Sequence, residues 1–577
     1  MEKRLQQEVL VGEKRTDALA SATRLMILKS NWPVLLCTLL YLACILATTL
    51  PITQAATKLK PPAHVTSTTT TQSGSSTTSG KSIQQVTSAA LTGRYIAHQI
   101  TAFFEFALFL CCAFAAYGAC ALLIYRQSSQ TQSRLFLLLI GLTTIIAGCF
   151  YLYTPATLSN DVFVYASYGR LQIIHHSNPY FVPAAAFPLD PMYRLVYWKK
   201  YVSIYGPIWT LVCAGLAYTS GVVPLVIFEN FRIFVGLCHL LNALLIGAIL
   251  WRMGRSWRVI TSGVLLYAWN PLVLLETFLG AHNDTFMVTF MLLGIYLLVG
   301  VEKKESTSAK FYIPAFIAFA LAILVKFTVL PIVLFALLML FYKKLAANSF
   351  SSRSPLSHLA RWRSAAIAVM VAGGVCGAVI LLFYAPYWLG HSVQAIVHTF
   401  SAQPATLFTF NSLAAATQIW GQQHSIPPLL MPLLNADVWR TIELVGMLCM
   451  LLVGWRSLRK APTIGGVVMA TLAILTIFCL TTNWFLPWYV TSLVALAAIG
   501  MWTLHGRTGY ALIGCVLTFS FSALLTYYYN FIGAYDLSHQ PASAGWITLA
   551  YLVAFSLPML TFVILFTCGR MAPKKIM

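Results

Sequence analysis

The chain has 577 residues, 59% of them hydrophobic and 9% charged, and no soluble core could hide that much apolar surface. Its net charge of +22 falls in short Lys/Arg clusters between apolar runs. That pattern orients membrane spans, so the charge is not read as a nucleic-acid footprint.

Residues 1–31 carry Lys3, Arg4, Lys14, Arg15, Arg24 and Lys29 and are expected to be a cytoplasmic segment ahead of a first, uncleaved span over 32–53. Residues 54–96, rich in Ser and Thr, should form a flexible external loop, because they hold too little apolar surface to fold. A membrane domain follows over 97–567, closed by a basic cytoplasmic tail at 568–577. Apolar runs at 97–124 and 135–154 lead to an external loop, 155–205. Cationic clusters such as Arg252/Arg255/Arg258 and Arg456/Arg459/Lys460 then mark the cytoplasmic side. Two stretches break the rhythm. Between 206 and 220 the chain must lie as a re-entrant or surface helix if 225–250 is to make the single crossing, and 311–341 must be a hairpin of two short spans tipped by Lys326. The external segment 385–437 is the candidate substrate lid. The expected fold is all-α and polytopic, with about 14 transmembrane helices and both termini cytoplasmic.

The 13 cysteines sit in or beside apolar runs at no zinc-like spacing and read as small core residues. Only 15 acids occur, and one of them, Asp161, stands at the exit of an apolar span with Arg170 nine residues on. A carboxylate beside a fixed cation at a lipid surface could take a proton from a hydroxyl while a phosphate departs. Alternatively, Asp161 caps a short helix and Arg170 reaches to headgroups. Lys326 stands outside against the positive-inside tendency and suits an anion, a lipid phosphate being the natural one. His282-Asn283-Asp284 could bind a divalent cation or sugar hydroxyls, or cap the following span. Tyr165, Tyr205 and Trp488 belong to an interfacial aromatic belt that would also suit sugar stacking.

Asp161, Tyr-x-x-Tyr-Gly-Arg at 165–170, Asn178-Pro179-Tyr180, Tyr205-Gly206-Pro207, Asn270-Pro271, His282-Asn283-Asp284, Lys326 and Trp488-Tyr489 occur in an order that resembles the GT-C superfamily of polyprenyl-phosphate-sugar-dependent glycosyltransferases. Among these, bacterial polyprenol-phosphomannose-dependent α-mannosyltransferases are the most similar in pattern. The resemblance spans about 135 to 530 and rests on short motifs. It implies that Asp161 is the catalytic acid of the first external core loop and that Asp284 is a second acidic site. The chain departs from the pattern by two extra spans ahead of that loop and by no large C-terminal soluble domain. The implied function is inverting transfer of a sugar, with mannose expected, from a polyprenyl-phosphate carrier to a glycan, lipid or protein acceptor on the external face. Arg170 and Lys326 would hold the donor phosphate. Tyr165, Asn178, Tyr205, His282, Asp284 and Trp488 would contact substrate, with a divalent metal left open. A transporter or flippase of lipid-linked sugars is the rival; it would need charges spread along the bundle and an internal repeat.

Overall fold

The computed structural model describes residues 31–57, 79–126, 130–155, 158–303, 308–347, 355–502, 506–532 and 541–568. The expected cytoplasmic segment and basic tail therefore lie almost wholly outside the described residues. Among those described, every regular element is helical, and Phe410 and Trp484 form a lone β-bridge.

Among the described residues eleven helices are long and apolar enough to cross a bilayer, from Asn31–Gln54 to Gly545–Cys568, and the bent pair Trp257–Ala268 and Pro271–Leu279 makes a twelfth if it is one span. Each remaining apolar run is also a helix, but Ala309–Ile323 and Pro487–Gly500 are short. The first, with 15 residues, is about 22 Å long against a hydrocarbon core of about 30 Å. Over the described residues the protein is thus all-helical and a polytopic membrane protein, as expected.

One boundary moves. Helix already runs from Ser79 in the 48-residue element Ser79–Arg126, so the part of the expected loop from 79 to 96 is helical. Its glutamines, Ala89, Ala90 and Leu91 are adequate helix formers even though Ser and Thr dominate upstream.

The bend of 53° between Trp257–Ala268 and Pro271–Leu279 has a local cause. Pro271 opens a new helix, and Asn270 caps it by accepting from the backbone N–H groups of Leu272 and Val273 at 3.1 and 3.3 Å. The Asn270-Pro271 pair therefore has a structural part: it re-aims the chain ahead of Glu276 and the turn at 280–283, all of them buried.

Val490–Gly500 is buried at every residue and forms the middle of the bundle. At the periphery, Leu444, Val445, Leu448 and Leu452 of Ala436–Lys460 stay exposed, as a lipid-facing surface requires. Hydroxyls inside the bundle bond back to their own helix, as Thr471 does to the Val467 carbonyl at 2.8 Å and Thr476 to that of Leu472 at 2.7 Å.

Fully buried Arg232 ties two chain ends together. Its guanidinium donates to the carbonyls of Leu152 at 2.8 Å, Thr154 at 2.7 Å and Leu279 at 3.1 Å, while its plane lies 3.7 Å over the Phe228 ring. These carbonyls close the segments leading to Asp161 and to His282, so one arginine sets where both begin.

Candidate active site

A cavity of about 590 Å³ collects Asp161, Lys326, Tyr205 and Trp488 from four separate stretches of chain. Asp161 is the first residue of the helix Asp161–Ile173, whose cap position is held by Asn160. It is therefore not the cap, and its carboxylate sits beside the positive end of the helix dipole. Among the described residues no hydrogen bond engages that carboxylate. Burial pushes its pKa up to about 6, against the pull of the Lys326 ammonium and with the push of Asp284. A carboxylate with this pKa, unpartnered and turned to a cavity, is equipped to accept a proton.

Lys326 reaches the cavity because two chains touch there. Gly206 N–H donates to the Val325 carbonyl at 3.2 Å and Ile208 N–H to that of Leu324 at 3.0 Å. A Cβ on Gly206 would stand 2.1 Å from the Leu324 carbonyl oxygen, so only glycine allows the approach. Pro207 then starts the helix Pro207–Ser220, where its missing N–H costs nothing. Tyr205-Gly206-Pro207 is thus the dock for the Lys326 tip, and it leaves the Tyr205 ring in the cavity wall. Helix Asp161–Ile173 crosses Pro207–Ser220 equally closely, since a Cβ on Gly169 would meet the Cys213 carbonyl oxygen at 2.2 Å.

The ammonium of Lys326 is held from below by both carboxylate oxygens of Asp284, at 2.9 and 2.7 Å, and lies 4.3 Å over the Tyr489 ring. Asp284 is buried beneath the cavity and does not line it. Its two oxygens fix the position of the Lys326 ammonium. His282 also lies outside the cavity lining, and its imidazole stacks on Trp488 at 3.6 Å and 14°. Nε2 lies 3.2 Å from Glu276 Oε2 but off the hydrogen-bonding line. Burial, helped by Lys326, holds its pKa well below the ordinary imidazole value, so the ring is neutral. Among the described residues no group of three or more His, Cys, Asp or Glu side chains converges on a metal position. With Asp284 bound to Lys326 and His282 bound up in a stack, this pair does not fit a divalent cation.

Three further expected site residues lie outside the cavity lining. Arg170 lies nine residues along the helix from Asp161, about 13 Å at 1.5 Å per residue, and its side chain is spent elsewhere. Nε donates to both Asp190 oxygens at 3.1 and 3.0 Å, and Nη1 to the Gly221 carbonyl at 3.0 Å. Although burial alone would raise it, Asp190 is held below its ordinary pKa by hydrogen bonds from His175, the Met192 backbone and Arg170. Asn178 donates to the Tyr387 carbonyl at 2.7 Å and accepts from Tyr180 N–H at 3.0 Å, tying 178–180 to the end of the helix Pro355–Trp388. Tyr165 is packed edge-on against Tyr205 and Trp209 in the core. None of the three lines the cavity.

The remaining wall is aromatic. Trp198, Trp484, Phe410 and Tyr529 form a chain of rings with centroid distances of 5.5, 5.2 and 5.4 Å. Phe410 belongs to the segment expected to be the lid. Its N–H donates to the Asn483 carbonyl at 2.8 Å and its carbonyl accepts from Phe485 N–H at 3.0 Å, so the segment is pinned where it meets the cavity.

Residues 64–342 match the family described as alpha-(1->6)-mannopyranosyltransferase, N-terminal domain. A probable alpha-(1->6)-mannopyranosyltransferase of Mycolicibacterium smegmatis is 28% identical over 190 residues, 31% of each chain. Over these stretches the chain is similar to mannosyltransferases. The match spans about a third of that relative's length, and the family region ends shortly after Lys326. The matched region supplies Asp161, Asp284 and Lys326. Phe410, Trp484, Trp488 and Tyr529, which shape the cavity, come from beyond it.

Two functional-looking residues were not among the expected ones. Glu276, buried in the bent span, accepts from the Tyr527 hydroxyl at 2.8 and 3.0 Å, and Tyr527 lines the cavity. Its signal was available, since a lone acid in the apolar run Leu274 to Leu279 is costly and seldom idle. Arg232 gave the same kind of signal as a cation inside a span.

Proposed function

We propose that the chain transfers a mannosyl group from a polyprenyl-phosphate carrier to an acceptor hydroxyl on the external face of a membrane, with inversion. The observation that carries this reading is that an unpartnered carboxylate of raised pKa and a buried, oriented ammonium share one aromatic-walled cavity. Asp161 takes the proton of the acceptor hydroxyl as its oxygen forms a bond to the anomeric carbon. The bond from that carbon to the phosphate oxygen breaks, and Lys326 meets the charge left on the phosphate. Because the attacking oxygen enters opposite the leaving phosphate, one displacement inverts the centre. Aromatic rings in the wall offer faces on which a sugar can stack.

Transport of a lipid-linked sugar would call for charges spaced along the bundle. The convergence of Asp161, Lys326 and Asp284 favours transfer instead. Purified protein in lipid nanodiscs should move radiolabelled mannose from a polyprenyl-phosphate donor onto a mannose oligosaccharide, with the new linkage read by NMR. Release of lipid phosphate without a glycosylated product, across a panel of acceptors, would overturn the proposal.

A further inference from the structure

A second groove, of about 600 Å³, runs beside the cavity, and Tyr201 lines both. One wall is the stretch 200–202; the other is the helix Val393–Ser401 with Ser392 ahead of it. The partition between groove and cavity is firmly built. Ser203 N–H donates to the Pro179 carbonyl at 2.8 Å, and the Tyr180 hydroxyl donates to the carbonyl of Tyr205, itself a cavity residue, at 2.7 Å. The floor is fixed as well, with Phe181 stacked on His391 at 3.6 Å.

The groove's chemistry differs from that of the cavity. Lys200, Gln394 and His398 present polar ends with no hydrogen bond among the described residues, and no carboxylate lines the groove. Tyr201 and Phe181 add aromatic faces. Polar ends that donate and accept, set against rings, are what a hydroxyl-rich sugar chain needs, whereas an apolar lipid tail would strand them.

We propose that this groove is the acceptor site: it binds a polyhydroxylated sugar chain whose reacting end passes Tyr201 into the cavity. The assignment rests on the reading of the chain as a sugar transferase. It also explains why two sites of similar volume adjoin, one holding the reacting groups and one holding none. Lys200, Gln394 and His398 act by holding the acceptor, so their loss should be felt in acceptor affinity and not in chemistry.

The test is binding of α-linked mannotetraose to the full chain in nanodiscs, followed by saturation-transfer NMR and calorimetry, alongside transfer kinetics. Gln394→Ala/His398→Ala should weaken tetraose binding by about tenfold or more, the loss of one or two net hydrogen bonds. It should raise the acceptor KM by a similar factor with kcat and donor KM unchanged. Asp161→Asn should bind the tetraose as the unaltered chain does. Equal binding by the double variant, a rise in donor KM in its place, or no tetraose binding by the unaltered chain would each overturn the assignment. If the double variant loses binding but the unaltered chain transfers mannose to no acceptor, the groove stands as a glycan site and only the transfer reading falls.

Discussion

At the scale of single residues, Asp161 and Lys326 carry different burdens. Asp161→Asn keeps shape and most polarity but removes the proton acceptor, so turnover should fall by about 10² to 10⁴ with donor binding nearly intact. Helix capping gives no alternative explanation, because the cap is Asn160. Near-normal turnover in a folded protein would place the base elsewhere, and Asp190, committed to Arg170 and His175, would not be the replacement. The same residue sets a pH dependence. A base works deprotonated, and with its pKa near 6 kcat/KM should climb about tenfold per pH unit below that value and level off above it. Absence of this acidic limb in the unaltered protein, or its persistence in the residual rate of Asp161→Asn, would count against the assignment.

Lys326 is tied to stability as well as to charge. Lys326→Ala leaves Asp284 buried without its cation, which should cost about 3–5 kcal/mol. Lys326→Gln with Asp284→Asn removes both charges and keeps hydrogen-bonding partners, so thermal unfolding should recover most of that loss. Donor binding and transfer should stay low in both variants. A double variant that transfers at the unaltered rate would show that Lys326 does not meet the phosphate.

At the scale of elements, the hairpin tip depends on a helix start. Gly206→Ala places a methyl group 2.1 Å from a backbone oxygen that cannot swing away. The tip must shift, and we expect about 1–3 kcal/mol of lost stability together with weaker donor binding. Gly215→Ala in the same helix meets nothing within 4 Å and should be neutral or stabilising by up to about 1 kcal/mol. Equal effects of the two substitutions would remove the docking argument. This contact also explains why the Tyr-Gly-Pro motif was visible in the sequence while its purpose was not. Glycine before proline announces a helix start, but nothing local announces that Leu324 lies against it.

At the scale of the molecule, the orientation of the bundle governs the donor and acceptor faces. In a cysteine-depleted background, Leu189→Cys and Leu429→Cys, at positions 96% and 87% exposed, should react with an impermeant thiol reagent in intact cells. Lys460→Cys, exposed beside a cationic cluster, should react only after permeabilisation. The reverse pattern would put the cavity on the cytoplasmic side.

Membrane class, helical content and the positions of the apolar runs were legible from the chain alone, because lipid forces every span to satisfy its own backbone and to advertise itself as an apolar run. Asp161 and Lys326 were legible for a related reason: a charge at that depth is costly and stands out against its surroundings. Their partners were not. Arg170 and Asp161 are close in sequence yet point into different neighbourhoods, because a rigid helix separates residues nine apart by more than two turns. Asp284 meets Lys326, Tyr527 meets Glu276 and Phe410 meets Trp484 across 42, 251 and 74 residues of chain. Local propensity and periodicity are blind to such meetings. Only the packing of helices around Val490–Gly500 decided which outward residues share a cavity and which became its scaffold.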